Sequence, residues 1–304
     1  MEHVLAPIRR DELIVGFMAH GYVGFSTQFG GIYVYYFHRD KVEASLLRIS
    51  DKVDIKFIEE IRAMINFWEE EQTIKKLQNR FKDKYGYVLP GGYQMPGIAN
   101  ADGRIAGTNV DFDKLVKLGI PGLRSEIAQY ENTYFYQGLN LFLDAFLKAC
   151  DFYIENATSL LEMETDEKRK GELKDIIETL NSIKVRNPAS FREGVQLVWL
   201  YCVITDTMNY GRMDVYLGDL YSKDIKDKLI NEEDGIAYLS SLWRQFVRVS
   251  KIHDCRVIIG GVGRRNEINA DALAMIIMEV SRRLMGYLER KQKGIFPLVV
   301  GNMF

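Results

Sequence analysis

Cysteine is nearly absent. Cys150, Cys202 and Cys255 are scattered over 304 positions with no C-x-x-C spacing. That spacing excludes a disulfide framework and the usual zinc patterns, and it fits a reducing compartment. The four histidines, His3, His20, His38 and His253, show no H-E-x-x-H or comparable ligand spacing, so they read as ordinary surface or hydrogen-bonded core residues. There is no internal repeat, no low-complexity tract and no Pro/Ser linker. No apolar run reaches the roughly 18 residues that a membrane helix needs. The opening MEHVLAPIRRDELIVG is interrupted by charges and lacks a signal-peptide pattern. An excess of one charge is also missing. Forty basic residues face 42 acidic ones, a net charge of −2, which gives no electrostatic footprint for nucleic acid. The surviving class is a soluble, cytoplasmic protein. With 47% hydrophobic residues in 304, it can build one large core or two smaller ones.

What is present is mostly helical periodicity. Residues 13–37, rich in Gly and aromatics, predict irregular surface-wrapping structure with short strands. Across 54–83, Ile58, Ile61, Ile65, Trp68, Ile74, Leu77 and Phe81 recur at helical spacing, and Pro90-Gly91-Gly92 ends the pattern. After a Gly-punctuated stretch over 93–110, a helix is expected from Asp111 to Leu118, stopped by Gly119-Ile120-Pro121-Gly122. A long helix over 122–163 follows, with Leu139, Phe142, Leu143, Phe146, Cys150, Tyr153, Ile154 and Ala157 on its buried face. A charged helix covers 164–182. Ser190 with Glu193 forms a capping box that opens a helix through VQLVWLYCVI, apolar nearly all round and therefore deeply buried. Further helices cover 213–227 and 232–250, and Asn269 or Asp271 caps one running to Leu284. Val257-Ile258-Ile259 and Phe296–Val300 read as short buried strands. The fold class is α/β, mostly helical, with parallel strands whose partners are expected outside the chain.

Few constellations suggest chemistry. Gly260-Gly261-Val262-Gly263 follows a strand, but Asn266 stands where G-x-G-x-x-G needs its last glycine; a tight turn is the better reading. Asp206 before Asn209-Tyr210-Gly211-Arg212 suggests an ion pair. Arg104, in the small-residue segment 100–107, needs an anionic partner if buried. A structural carboxylate and a substrate carboxylate both satisfy that need.

The stretch Asn187-Pro188-Ala189-Ser190-Phe191-Arg192-Glu193-Gly194-Val195-Gln196, followed by Gly211-Arg212, resembles N-P-x-x-(T/S)-F-x-E-A-(L/I)-Q…G-R of the pyruvate formate-lyase-like glycyl radical enzymes. Arg10–Gly16, Gly103-Arg104-Ile105 with Asp111–Leu115 and Leu118-Gly119-Ile120, and Ile259–Gly263 resemble three further blocks of that family, in the same order. The resemblance departs at about three extra residues between Arg104 and Asp111, and at Asn209 and Tyr210, where the family often carries small residues.

The resemblance implies a ten-stranded barrel of two parallel half-sheets ringed by helices, of which this chain would supply one half-barrel with its surrounding helices. It implies a glycyl radical installed by a separate radical S-adenosylmethionine activase, a thiyl radical on a mid-barrel cysteine, and anaerobic lyase, dehydratase, decarboxylase or formate acetyltransferase chemistry. Arg104 matches the arginine that holds the substrate carboxylate, and Asn209 and Arg212 are expected beside it as substrate-binding residues. The radical motif R-V-x-G-(Y/F) is absent from these 304 residues, and none of the three cysteines matches the catalytic position. No catalytic residue, metal or bound cofactor is therefore assigned to this chain. Residues 1–304 read as the N-terminal part of the family domain, a fragment whose catalytic half lies elsewhere. Expected partners are a small-molecule substrate, the activase and, as one option, a second copy in a homodimer, with no nucleic acid and no membrane. The other reading is a truncated, non-catalytic paralogue that binds or supports. On the half-barrel reading, Val195–Ile204, Val257–Ile259 and Leu298–Val300 should present apolar surface to a missing partner.

Overall fold

A computed structural model of the chain describes residues 5–18, 39–71, 73–86, 110–205, 207, 209–249, 256–291 and 299–301. They fall into two units. The smaller, Tyr22–Thr108, contains α1 (Arg39–Ile49), α2 (Ile55–Glu71) and α3 (Thr73–Tyr85). The periodicity over 54–83 is thus carried by two helices. Leu46, Ile58 and Ile65 form the unit's small core, with Val42, Val53 and Ile61 packed on it. Arg39–Glu69 and Arg62–Glu43 pair at 2.5 and 3.2 Å. Arg104, the segment 93–109 and most of 13–37 lie outside the described residues.

The larger unit, Met1–Gly21 with Asn109–Phe304, contains α4 (Phe112–Ile127), α5 (Tyr134–Met163), α6 (Glu167–Val185), α7 (Phe191–Thr205), α8 (Met213–Lys226), α9 (Glu232–Val249), β1 (Val257–Ile259), α10 (Glu267–Lys291) and β2 (Val299–Gly301). Helix α7 is the hub. It packs against α4, α5, α6, α8 and α9, which is what its nearly all-round apolar sequence demands. Leu197 and Leu200 are fully buried, as is nearly all of Trp199. The expectation that Val195–Ile204 needs an outside partner is therefore corrected: the chain's own helices cover Val195–Leu200, Cys202 and Val203, and Tyr201 and Ile204 are half-buried against them. Val257 and Ile259 are likewise buried.

Three helix boundaries differ from expectation. The stop at Gly119 is a kink, with φ +60° and ψ −175°, and the helix resumes through Ile127. Pro121 falls in the first turn after that kink, where its missing N–H costs nothing. The single helix expected over 122–163 is two, because i→i+3 bonds from Gln129 and Tyr130 tighten the end of α4 and α5 restarts after Thr133. Helix α10 begins at Glu267, ahead of the expected caps; Asn269 instead donates to Asp219 and Asp271 accepts from Arg264.

The expected capping box is half formed. Ser190 Oγ accepts from Glu193 N at 3.3 Å, but the Glu193 carboxylate takes the Ala189 N–H at 2.7 Å and both fork nitrogens of Arg186 at 2.7 Å. Burial alone would raise the Glu193 carboxyl, but hydrogen bonds from Arg186 and Ala189 outweigh it and hold the group below the ordinary carboxylate value. A depressed folded-state value stabilises above the unfolded value near 4.5 and is lost as pH falls through the folded one. Urea midpoints are expected to drop below about pH 4.5 in the wild type, and Glu193→Gln should flatten that part of the curve. Equal acid slopes in the two proteins would remove this latch from the account.

Residues 5–18 form a loop that doubles back on itself, Leu5 bridging Met18 antiparallel and Ala6 N donating to Phe17 O at 2.8 Å, and buried side chains take up its remaining backbone groups, as amides must be satisfied when covered. Ser241 Oγ accepts from Leu13 N and Ile14 N at 2.9 and 3.1 Å. Gln196 grips both sides of Val15 at 2.8 and 2.7 Å. Trp199 Nε1 donates to Gly16 O at 2.8 Å. Glu12 is buried against Arg248 at 2.8 Å, and its burial raises its carboxyl above the ordinary value despite that pairing.

Strands β1 and β2 pair in parallel, Val257 with Val299 through Ile259 with Gly301, across the connection that contains α10. On the other side of β1, Asn209 bridges Arg256 in parallel, Tyr210 N donates to Arg256 O at 2.9 Å and Ile258 N to Gly211 O at 2.8 Å.

Candidate active-site region

The carboxyl ends of parallel strands are where helical α/β folds place ligands, and here two such ends meet. Segment 209–211 ends at Gly211, whose φ of +55° suits glycine, and leads directly into α8. Strand β1 ends at Gly260-Gly261, with φ of +76° and +90°. This is a tight turn, in line with the reading of that glycine run.

Two side chains from the start of α8 grip the turn. Arg212 Nη2 donates to Gly260 O at 2.5 Å, and Asp214 Oδ2 accepts from Gly260 N at 2.8 Å. Asp214 is fully buried. It also accepts from Arg264 Nη1 at 3.1 Å, while Arg264 Nε donates to Gly261 O at 2.8 Å and its Nη2 to Asp271 at 2.5 Å. The Asp271 hydrogen bond raises the Arg264 guanidinium above its ordinary value. Below the turn, Tyr210 stacks on Phe246 at 4.3 Å, and its carbonyl accepts from the Tyr216 hydroxyl at 2.8 Å. Burial holds that hydroxyl well above the ordinary tyrosine range, so it remains a donor.

Of the expected site residues, Asn209 and Arg212 fall together at this strand end. Asn209 Oδ1 accepts from Gly211 N at 3.3 Å, which ties its side chain to the turn. Arg212 is half-buried, and among the described residues no carboxylate pairs with it; its Nε is buried without a partner. Arg104 lies outside the described residues. Sequence reasoning misses Asp214 and Arg264 as site residues. An acid two positions after an arginine at a helix start, Arg212-Met213-Asp214, is the signal that could have found the first. Asp206, the expected ion-pair partner, lies outside the described residues.

Among the described residues no three His, Cys, Asp or Glu side chains come together as a metal site. Cys150 and Cys202 are buried in the helical core, and burial pushes the Cys150 thiol up, the opposite of a reactive thiolate. The arrangement can orient an anionic or hydroxylated group against a rigid turn; among the described residues it contains no nucleophile. No helix among the described residues is long and apolar enough to cross a membrane.

Comparison with known proteins adds the rest. Residues 1–289 match the family model described as pyruvate formate lyase-like. Trans-4-hydroxy-L-proline dehydratase of Clostridioides difficile is 26% identical over 203 residues, 60% of this chain and 25% of that protein. The 4-hydroxyphenylacetate decarboxylase glycyl radical subunit of Clostridioides difficile is 26% identical over 228 residues, 65% of this chain and 24% of that protein. The chain therefore spans about a quarter of the length of these curated relatives. A crystal structure of hydroxyproline dehydratase from Clostridioides difficile with substrate bound superposes with a TM-score of 0.58 at 19% identity, over 98% of this chain and 40% of that one, a likeness of fold.

Proposed function

Because the chain belongs to the pyruvate formate lyase-like family, matched over residues 1–289, we propose that it forms the N-terminal part of a glycyl radical enzyme acting on a small, carboxylate-bearing substrate. That match carries the reading. The family contains dehydratases, decarboxylases and lyases and uses a glycyl radical. When present, that radical supplies the hydrogen-abstracting chemistry, and a radical S-adenosylmethionine activase is the proposed means of installing it. The parallel run of segment 209–211, β1 and β2 is consistent with one part of a half-barrel in a ten-stranded barrel. In this reading residues 1–304 are one piece of the family domain.

The chain's own share is binding and orientation. Arg104 holds the substrate carboxylate through two parallel N–H···O bonds, a geometry that lysine cannot copy. Arg212 contributes donors not used on Gly260, and Asn209 lines the same strand end. Packed helices around this end keep water from the reacting group.

EPR on the full translation product of the gene, treated anaerobically with activase and S-adenosylmethionine, tests the reading. A glycyl doublet is the expected result; an EPR-silent protein would favour a non-catalytic paralogue that binds or supports. In the active enzyme, Arg104→Lys should raise the substrate KM at least about tenfold, the loss of one charge-assisted bond, with the melting temperature unchanged. A lowered melting temperature at constant KM would reassign Arg104 to a structural ion pair.

A further inference from the structure

Helix α5 turns one side to the core, through Leu143, Phe146, Ala149, Cys150, Tyr153 and Ala157. On the opposite side Tyr134, Gly138, Leu141, Ala145 and Lys148 follow at steps of four, three, four and three, so they form a single stripe. Tyr134 is 92% exposed and Leu141 68%. Gly138 and Lys148 are exposed as well, and Ala145 is half-buried. Phe135, 67% exposed, widens the patch at the Tyr134 end. Scattered apolar side chains on a surface need no explanation, but a contiguous row of them marks a surface that something covers.

The order of residues in the stripe selects what covers it. Its three- and four-residue steps are those of a helix–helix seam. Leu141 stands at the centre, seven residues from Tyr134 and seven from Lys148. Gly138 and Ala145, also seven apart, keep the ground beside it low, and no atom comes within 4 Å of where a methyl on Gly138 would stand. The two ends are chemically complementary. One carries the Tyr134 ring and, three positions earlier, the exposed Glu131; the other carries the Lys148 ammonium. A two-fold axis through Leu141, with the helices antiparallel, sets Leu141 on the partner's Leu141 and each Lys148 over the partner's Tyr134, cation on ring face. A parallel pairing would set ammonium against ammonium.

From this pattern we infer that the outer face of α5 is where a second copy of the chain docks, α5 against α5, antiparallel about Leu141. The surface is separate from the strand-end region and does not depend on the radical reading.

Light scattering of the 304-residue chain over a dilution series tests it. The wild type is expected to form a dimer that dissociates on dilution. Leu141→Lys, which sets two ammonium groups at the axis and removes two buried leucines, should raise the dimer Kd at least about a hundredfold. Lys148→Ala, which removes two exposed cation–π contacts, should raise it about fivefold to thirtyfold. Gly138→Leu should abolish the dimer and yet raise the melting temperature, because the position is open and glycine weakens a helix interior; loss of the dimer then does not come from misfolding. Under mild oxidation Leu141→Cys should cross-link to itself, whereas Tyr134→Cys should cross-link only when mixed with Lys148→Cys. A wild type that stays monomeric at every concentration overturns the inference and leaves the face to another occupant. So does a dimer indifferent to Leu141→Lys and Gly138→Leu, or Tyr134→Cys linking to itself as readily as to Lys148→Cys.

Discussion

Replacing Asp214 by alanine is expected to cost about 3–5 kcal/mol of stability, the usual penalty for breaking a buried ion pair by removing one partner. Asp214 has no exposed surface and accepts from both Gly260 N and Arg264 Nη1. Its loss leaves the Arg264 side chain, 6% exposed, with one partner fewer, and takes from the half-buried Gly260 amide its acceptor. Asp214→Asn should be milder, since a carbonyl oxygen can still accept from Gly260 while the charge pairing is lost. Urea denaturation of the three proteins checks this. A loss below about 1 kcal/mol for Asp214→Ala would place the pair among exposed salt bridges of small effect and remove it as the brace of the turn.

Gly119→Ala is the second large effect. At φ +60° and ψ −175° the backbone occupies a region essentially reserved for glycine. A methyl group there would also stand 2.7 Å from Asn187 Cα and 2.9 Å from Asn187 N, and a neighbouring backbone cannot swing aside. About 1–3 kcal/mol of backbone strain and about 1–3 kcal/mol of overpacking should together lower the melting temperature by many degrees. Gly171→Ala provides the opposite control. It lies inside α6, no atom comes within 4 Å of where its methyl would stand, and alanine there should stabilise by about 0.5–1 kcal/mol. Thermal melts followed by circular dichroism read both, and a neutral Gly119→Ala would mean that α4 and the Asn187 backbone do not meet as described.

These two sites also mark how far the sequence can be read. Gly119 and Pro121 are legible as a break, because both are strong punctuation. That the helix resumes, and that Asn187 is the backbone pressing on Gly119, depends on a contact 68 positions away, which no local window holds. The gap over 128–133 is invisible for the opposite reason: Ala128 to Thr133 contains neither glycine nor proline, and apolar spacing continues on both sides. The all-apolar face of α7 is legible as buried, but not what buries it. At the site, the Gly211–Asp214 signature draws attention to Arg212, whereas Asp214 carries the deeper burial and more of the bonds. A short motif names a place in the chain; which of its residues braces the turn emerges only once Gly260 and Arg264 have come to meet it.

The loop 5–18 carries a consequence for biosynthesis. Its acceptors and donors lie on Tyr153, Gln196, Trp199 and Ser241, up to 228 positions downstream of the amides they serve. At about 5–20 residues per second of translation, the Ser241 hydroxyl leaves the ribosome roughly 11–46 s after Leu13. For all of that interval the amides of Leu13 and Ile14 must be hydrated or shielded by another molecule. Docking of this segment is therefore a late event in the nascent chain, and its apolar residues Ile14 and Val15 are a place where a chaperone would find the unfinished protein.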